Sequence, residues 1–225
     1  MAPPTRQASK RHPSGVSPTI EVEELRRLGN RVHSIQDSRN ADMIRVGNRL
    51  VNLDTSDGRR AFLSTLHLHP AQVRGLDVAL DKGGLDSRDE LGQLVSLWAN
   101  IDRGLAAAGR MVMSGHHVGR NRFWGDENGF LSLADFSALG GAFPRAAGMV
   151  EDLHLSASYS ATSIRDWLPV FSNLKTIWAY AGSAPGSVSG ACIYLQAWDA
   201  ATRGPRCVVR QASIRQCFTA KHRRL

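Results

Sequence analysis

The sequence predicts an α/β domain built on a mostly parallel sheet with helices on both faces. Three short apolar segments, at 111–114, 153–157 and 175–180, have the composition of buried strands. Segments with helical spacing of apolar residues alternate with them, and loops rich in Gly and Ser separate the elements. Strands and helices that alternate at this spacing favour parallel pairing, because each connection crosses over the sheet.

Length and composition agree with one such domain between two basic ends. The chain has 225 residues, of which 42% are hydrophobic and 21% are charged, as is ordinary for globular proteins. Residues 1–18 contain four prolines and no acidic side chain, which predicts a disordered basic leader. Residues 203–225 contain seven Lys or Arg and no acidic side chain. We therefore expect a single domain over 19–202, followed by a basic C-terminal tail.

Charge and hydropathy indicate which partners and which cellular location to expect for this protein. The net charge of +8 comes from the two ends, whereas 19–202 contains slightly more acidic than basic side chains. A nucleic-acid-binding domain needs a basic patch on its folded body, so nucleic acid is not an expected partner. No apolar run approaches the roughly 18 residues of a membrane-spanning helix, so no membrane partner is expected. The first 15 residues lack the apolar core that a secretion signal would have, and the three cysteines have no metal-site spacing, so we expect a cytoplasmic location.

The first half of the chain predicts mainly helices. Apolar residues with helical spacing predict a helix over 19–33. Residues 44–63 mix strand-like composition with a turn at 55–58, and their topology stays open. We expect a further helix after Pro70.

A longer helix is predicted from Asp86 onwards. Ser87 and Glu90 have the spacing of a capping box, with Ser87 as the N-cap. The apolar face continues to Leu105, and we expect Gly109 to end this helix.

The second half predicts three strand–loop–helix units. The strand at 111–114 is followed by a polar loop at 118–129 and a short helix at 131–139, and the strand at 153–157 by a helix at about 162–171. The third strand is followed by the loop 181–187 and a last helix at about 188–202.

Chemically active side chains follow all three strands. The strand ends are Gly115–His116–His117, Ser158–Tyr159–Ser160 and the Gly- and Ser-containing segment 181–186. Ligands and catalytic groups collect at the carboxyl ends of parallel strands. A histidine that faces a small nucleophile there is the arrangement of base-assisted nucleophilic catalysis. The alternative is structural: the histidine is a hydrogen-bonding residue, and Ser160 or Thr162 caps the next helix.

Three blocks resemble the signature segments of the caspase-like cysteine peptidases, the superfamily of caspases, metacaspases, separases, clostripain and CHAT-domain peptidases. Met111–His117 resembles the family's hydrophobic strand that ends in His-Gly. Leu153–Ser158 resembles the second strand, which ends in Ala-Cys, and Thr176–Tyr180 resembles the strand after the nucleophile. Phe123–Trp124–Gly125 resembles the turn that follows the caspase histidine. The resemblance covers roughly residues 91–202, half of the chain.

The resemblance implies a cysteine endopeptidase with a His/Cys dyad that acts on a polypeptide substrate without a metal or cofactor. The strand ends align His116 with the catalytic histidine, whereas the spacing from Trp124–Gly125 selects His117. Backbone N–H groups near Gly115 and at position 158 would polarise the scissile carbonyl.

Ser158 stands where the family has its cysteine. The leading interpretation is an inactivated Cys-to-Ser form of the peptidase, which would be nearly inert because a hydroxyl ionises far less readily than a thiol. The alternatives are a naturally inactive module that binds a protein partner, a serine hydrolase, and a different alignment. No G-x-S-x-G motif surrounds Ser158, which argues against the serine hydrolase. A separate hypothesis is an anion-binding domain that uses the loop 182–190, although this loop lacks the P-loop pattern.

Substrate and metal sites have weaker sequence support. Trp178, Tyr180 and Ser183 could line a pocket for a small or apolar P1 residue, and 181–183 lacks the carboxylate of arginine-specific members. A negatively charged pocket could instead be formed by Asp126, Glu127 and Asp135, although roles as solvated loop and helix-start charges explain these residues better. His67 and His69 suggest a metal site, but the absence of clustered acids or cysteines favours a strand or loop. Cys192 is predicted to be a small apolar residue within the last helix.

Overall fold

The computed structural model describes residues 18–35, 42–82, 88–117, 122–124 and 130–203. Outside this part of the chain lie the predicted leader up to residue 17 and the predicted tail after Arg203. The predicted N-cap Ser87 and the candidate pocket residues Asp126 and Glu127 also lie outside it.

The described residues form eight α-helices, eight short strands and one 3₁₀ turn. The helices are α1 (Pro18–Arg27), α2 (Ser56–Ser64), α3 (Pro70–Lys82), α4 (Arg88–Asp102), α5 (Leu133–Ala142), α6 (Pro144–Met149), α7 (Ile164–Trp167) and α8 (Val188–Arg203). The strands are β1 (Met43–Val46), β2 (Arg49–Asn52), β3 (Arg110–Ser114), β4 (His116–His117), β5 (Arg122–Trp124), β6 (Phe130–Ser132), β7 (Asp152–Ser156) and β8 (Thr176–Ala179). The 3₁₀ turn spans Ser160–Ser163.

The three strands predicted in the second half form one parallel sheet in the order β3-β7-β8. Ser114 pairs with Ser156, and Leu155 pairs with Ala179, so all three carboxyl ends lie at one edge. Among the described residues, β1 and β2 form an antiparallel pair, and β4, β5 and β6 form a second antiparallel sheet. The predicted α/β class, with a parallel sheet flanked by helices, is confirmed.

The two faces of this parallel sheet pack against different helices. Because side chains alternate along a strand, Leu153 and Leu155 point into the large apolar core, which also contains buried residues of α4, α5 and α6. The opposite face carries Val112 and Trp178, which pack on a small cluster made by Leu25 of α1 with Leu195 and Trp198 of α8. The first and last described helices therefore cover one face together.

Two helices end earlier than the sequence predicts. The predicted helix at 19–33 ends at Arg27, where Asn30 N donates to Leu25 O and closes the last turn. The helix predicted to run to Gly109 ends at Asp102. Gly104 has φ 76°, and the bond from Leu105 N to Asn100 O closes this helix end in the same way. Leu105 is consequently exposed rather than part of an apolar helix face.

Three local predictions also need correction. The helix predicted at 162–171 is a 3₁₀ turn followed by the single-turn α7, because Pro169 has no N–H with which to continue the helix. The turn predicted at 55–58 is the start of α2, where the Thr55 side chain accepts a hydrogen bond from Gly58 N at 3.1 Å. The predicted helix at 131–139 begins later, at Leu133, after β6.

Candidate functional site

The predicted catalytic segments leave adjacent strands at the same edge of the sheet. Ser114 and Ser156 are paired, and Gly115 N donates a hydrogen bond to Ser156 O at 3.3 Å. His116 follows Ser114 by two residues, and Ser158 follows Ser156 by two residues, so the structure brings these two chain segments together. The His116 side chain lies outside the described residues, whereas His117 is half-buried and its Nε2 is enclosed by protein.

Gly115 makes the change of direction between β3 and β4 possible. Its φ of 144° lies in a region that residues with a Cβ rarely adopt. The chain leaves the parallel sheet at this point and enters the antiparallel sheet, where His116 pairs with Trp124. The glycine therefore fixes where the histidines stand relative to the end of β3.

Ser158 lies in a loop that is bonded to the loop after β8. Its Oγ accepts a hydrogen bond from Ala184 N at 2.9 Å. The next residue, Tyr159, has φ 58°, an uncommon conformation for a bulky side chain, and its N donates to Gly182 O at 2.8 Å. Both loops are thus held by backbone donors around Ser158, and Ser183 is exposed beside them.

Ser160 has a structural role at this edge that differs from the role expected from the sequence. Its side chain is fully buried, donates to Leu155 O at 3.0 Å and accepts from Tyr180 N at 3.2 Å. The proposed capping role is wrong for Ser160 and Thr162, since neither side chain caps the helix that follows. Ser160 instead joins the carboxyl ends of β7 and β8.

The aromatic residues predicted to line a substrate pocket lie on the sheet face beneath α1 and α8. Trp178 packs against the small apolar cluster of Leu25, Leu195 and Trp198. Tyr180 is buried, and its ring lies 5.2 Å from that of Tyr194 in α8. Ser183 is exposed on the loop, so the contacts of the two aromatic side chains are with the covering helices.

Glu21 of α1 is an acidic residue at this edge that sequence analysis missed. Its side chain is only 4% exposed, and its Oε1 accepts a hydrogen bond from Ser156 Oγ at 2.6 Å. Burial raises the pKa of Glu21, against the opposing effect of hydrogen bonds from Ser114 and Ser156. One signal was available: Glu21 stands four residues before Leu25, on the helix stripe that faces the core.

Tyr180 shares this environment with Glu21. Burial, followed by the nearby charge of Glu21, raises the pKa of the Tyr180 phenol. Its hydroxyl is buried near Ser156 without a well-aligned hydrogen bond among the described residues, and Oε2 of Glu21 is in the same situation. Carboxylate and hydroxyl groups therefore gather beneath α1, next to the ends of β3 and β7.

The remaining candidate residues have local structural roles. Asp135 forms a capping box with Ser132 at the start of α5, which confirms the helix-start interpretation. His67 and His69 lie in the loop before α3, and His69 Nδ1 accepts a hydrogen bond from Ala71 N at 3.3 Å. In the described ranges no group of three or more His, Cys, Asp or Glu could hold a metal ion. Cys192 lies in α8 as predicted and is half-buried with a free thiol.

Comparison with known proteins identifies no relative: no protein-family model, curated protein or solved structure matches this chain. None of the helices in the described residues is long and apolar enough to cross a membrane.

The geometry limits what this edge can do chemically. Ser158 Oγ already receives a backbone N–H, and such a bond stabilises negative charge on the atom that accepts it. The neighbouring segment carries the two histidines His116 and His117. This edge therefore combines a hydroxyl that accepts a backbone hydrogen bond with a histidine-containing segment on the adjacent strand.

Proposed function

We propose that the carboxyl edge of β3 and β7 is the acyl-transfer site of a caspase-like cysteine endopeptidase, with position 158 as the nucleophile. The observation that carries the proposal is the parallel pairing of Ser114 with Ser156. It brings the His116–His117 segment and Ser158 beyond the same end of neighbouring strands. With the resemblance of the three sequence blocks, this arrangement favours a peptidase over an anion-binding domain.

The surroundings of Ser158 also support a nucleophile at that position. A thiolate there would accept the Ala184 N–H, which lowers the free energy of the charged form. Tyr159 holds a strained backbone conformation directly after the nucleophile. Strain of this kind persists where the surroundings fix it, and it is often found at functional sites.

The proposed reaction transfers the acyl group of a peptide bond. In the cysteine form, the thiolate attacks the carbonyl carbon, and a new C–S bond forms as the carbonyl π bond breaks. The C–N bond then breaks, while His116 or His117 donates a proton to the leaving amine. Water, which loses a proton to the same imidazole, hydrolyses the thioester and restores the thiolate. The proposal includes a polypeptide substrate and a cytoplasmic location, because a reducing compartment preserves a catalytic thiol.

The serine form should be nearly inert. A hydroxyl at position 158 ionises far less readily than a thiol, and a site shaped for sulfur activates it poorly. We therefore expect the Ser158 protein to bind a peptide without cleaving it at a useful rate.

Ser158→Cys tests the proposal directly. We expect this variant to cleave peptides from a mixed-sequence library, and a second change of the catalytic histidine to reduce the rate about 10²–10⁴-fold. His116→Ala and His117→Ala, each made in the Ser158→Cys protein, identify that histidine. Cleavage products are quantified by mass spectrometry.

Ser172→Cys provides the matched control. Ser172 is an exposed serine that precedes β8, at the opposite edge of the parallel sheet, so its replacement adds a thiol away from the site. This control should cleave nothing. If Ser158→Cys cleaves no peptide and forms no adduct with a thiol-directed peptide electrophile, also after removal of residues 1–17, the peptidase proposal is wrong. Peptide binding without cleavage would then support the inactive binding module.

A further inference from the structure

The buried carboxylate of Glu21 lies beside the ends of both strands that lead to the proposed site. Ser156, at the end of β7, donates to Glu21 Oε1 at 2.6 Å, and Ser114, at the end of β3, lies close enough to help lower the pKa of the same carboxylate. Ser114 and Ser156 are themselves partners in the sheet. One side chain from α1 is therefore bonded at the point where the two strand ends pair.

Each of these two paired serines stands two residues before a proposed catalytic residue. Ser114 precedes His116 by two positions, and Ser156 precedes Ser158 by two positions. The backbone contact from Gly115 N to Ser156 O is the next link between these two segments. A shift of either serine would therefore change the separation of the histidine segment from position 158.

This inference rests on the proposed function: we propose that Glu21 is a positioning residue, which holds Ser156 in place and so fixes the separation between the His116–His117 segment and the nucleophile at position 158. The N-terminal helix α1 thereby becomes part of the peptidase site, although Glu21 itself touches no substrate.

The charges around Glu21 allow this role. The nearby groups are the hydroxyls of Ser114, Ser156 and Tyr180 on the sheet, together with Cys192 on α8. On its own helix, Arg27 is paired with Glu24 at 2.5 Å. That contact, with Gln196, lowers the pKa of Glu24 to about 2. Glu21 is therefore held by hydroxyl donors rather than by an ion pair.

Other contacts keep α1 in place when Glu21 is changed. Leu25 packs between Leu195 and Trp198. Gln196 Nε2 donates to Glu24 Oε1 at 2.8 Å, and Asn30 Nδ2 donates to Asp199 Oδ1 at 3.0 Å. A Glu21 variant can therefore be folded and still lack the bond to Ser156, which makes the proposal testable.

The test measures the ionisation of a thiol at position 158. In full-length Ser158→Cys protein, the rate of alkylation by iodoacetamide is followed against pH, and the peptide that contains position 158 is quantified by mass spectrometry. We expect Glu21→Ala to slow alkylation at pH 7 about tenfold. The midpoint of the profile should move towards the value of about 8.5 of a free cysteine.

Two further variants separate positioning from charge and from folding. Glu21→Gln keeps an acceptor oxygen for the serine hydroxyls and should restore the rate to within about twofold of the parent. Glu23→Ala removes the same charge from an exposed position of the same helix and should change nothing. If Glu21→Ala does not fold, as judged by circular dichroism, Ser156→Ala should give the same loss of thiol reactivity.

Each outcome has one meaning. A folded Glu21→Ala variant with an unchanged rate and midpoint overturns the positioning role, even if its melting temperature falls. A Glu21→Gln variant as slow as Glu21→Ala also overturns it, since charge would then be the cause. If His116→Ala or His117→Ala shifts the midpoint and Glu21→Ala does not, only the role of Glu21 fails. If neither histidine variant shifts it, the peptidase proposal itself fails.

Discussion

The two faces of the β3-β7-β8 sheet differ in polarity. On the apolar face, Leu153, Leu155, Ile177 and Ala179 are buried in a continuous apolar core. On the polar face, beneath α1 and α8, Asp152 and His154 are buried beside the small apolar cluster that contains Trp198. Side chains that are adjacent in sequence are therefore buried in environments of different polarity.

The polar face is held by specific hydrogen bonds. Asp199 of α8 accepts from Asn30 at 3.0 Å, from Arg110 at 2.8 Å and from Arg203 at 2.7 Å. Burial alone would raise the pKa of Asp199, but these hydrogen bonds together lower it. Arg110 also lies over the Trp198 ring at 5.2 Å. Contacts of this kind require one arrangement of α1 and α8, whereas apolar contacts tolerate several.

The difference between the faces predicts different responses to pH. Apolar burial contributes a free energy that does not depend on protonation. Buried ionisable groups contribute free energies that change wherever their pKa in the folded state differs from that in the unfolded state. The effects of matched substitutions on the free energy of unfolding should therefore differ between the two faces, both in magnitude and in their dependence on pH.

Leu153→Ala should give the largest effect. Leu153 is fully buried on the apolar face, so its truncation should lower the free energy of unfolding by about 2–5 kcal/mol. The loss should be the same at pH 7 and pH 5, as measured by urea denaturation. Leu105→Ala is the control, since Leu105 is exposed and its truncation should cost less than about 0.5 kcal/mol. A loss that changed with pH would contradict the assignment of this face.

His154→Leu should change how the free energy of unfolding depends on pH, rather than lower it by the same amount at every pH. Burial lowers the pKa of His154 to about 4, and its ring packs 5.9 Å from Tyr180 and 5.8 Å from Trp198. Between the unfolded value of about 6.5 and pH 4, the unfolded chain binds a proton that the folded chain does not. Acidification over this range should therefore destabilise the natural protein by on the order of 3 kcal/mol through His154.

The comparison of His154→Leu with the parent isolates this contribution. Burial raises the pKa values of Glu21 and Asp152, so acidification acts on stability through them in the opposite direction. Subtracting the two unfolding free energies at each pH cancels these shared contributions. His33→Leu, at an exposed histidine, should leave the profile of the parent unchanged. Equal slopes for His154→Leu and the parent between pH 6.5 and 4 would refute the prediction.

The sequence predicted the apolar face better than the polar one. Alternating strands and helices were enough to predict the parallel sheet, because apolar residues such as Leu153 and Ile177 are needed wherever a strand is buried. The helix ends at Arg27 and Asp102 were misplaced, since their closing hydrogen bonds depend on the local backbone. Pattern alone did not distinguish Gly104 from Gly109 as the end of α4.

The candidate site was predictable only in part, for a related reason. The strand ends at Gly115 and Ser158 follow from the order of elements, and parallel strands bring their carboxyl ends together. Glu21 lies 135 positions before Ser156 in the chain, and no local pattern indicates that the two side chains meet. Ser160 resembled a helix cap because its contact with Tyr180 N depends on the pairing of β7 with β8.

Thr176→Val should give the smallest of these effects and offers the closest comparison of the two faces. Thr176 Oγ1 donates to Asp152 Oδ1 at 2.8 Å, and this bond lowers a pKa that burial otherwise raises. Replacing the hydroxyl with a methyl group of similar shape should cost about 1 kcal/mol at pH 7. The variant raises the folded-state pKa of Asp152 further, so its cost should shrink as falling pH protonates Asp152.

Ile177→Val, at the next residue but on the apolar face, should also cost about 1 kcal/mol. Its cost should be equal at pH 7 and pH 4, because Ile177 is fully buried in the apolar core. Urea denaturation of both variants at the two pH values checks the pair. A cost of Thr176→Val that did not change with pH would show that the bond does not favour the ionised form of Asp152.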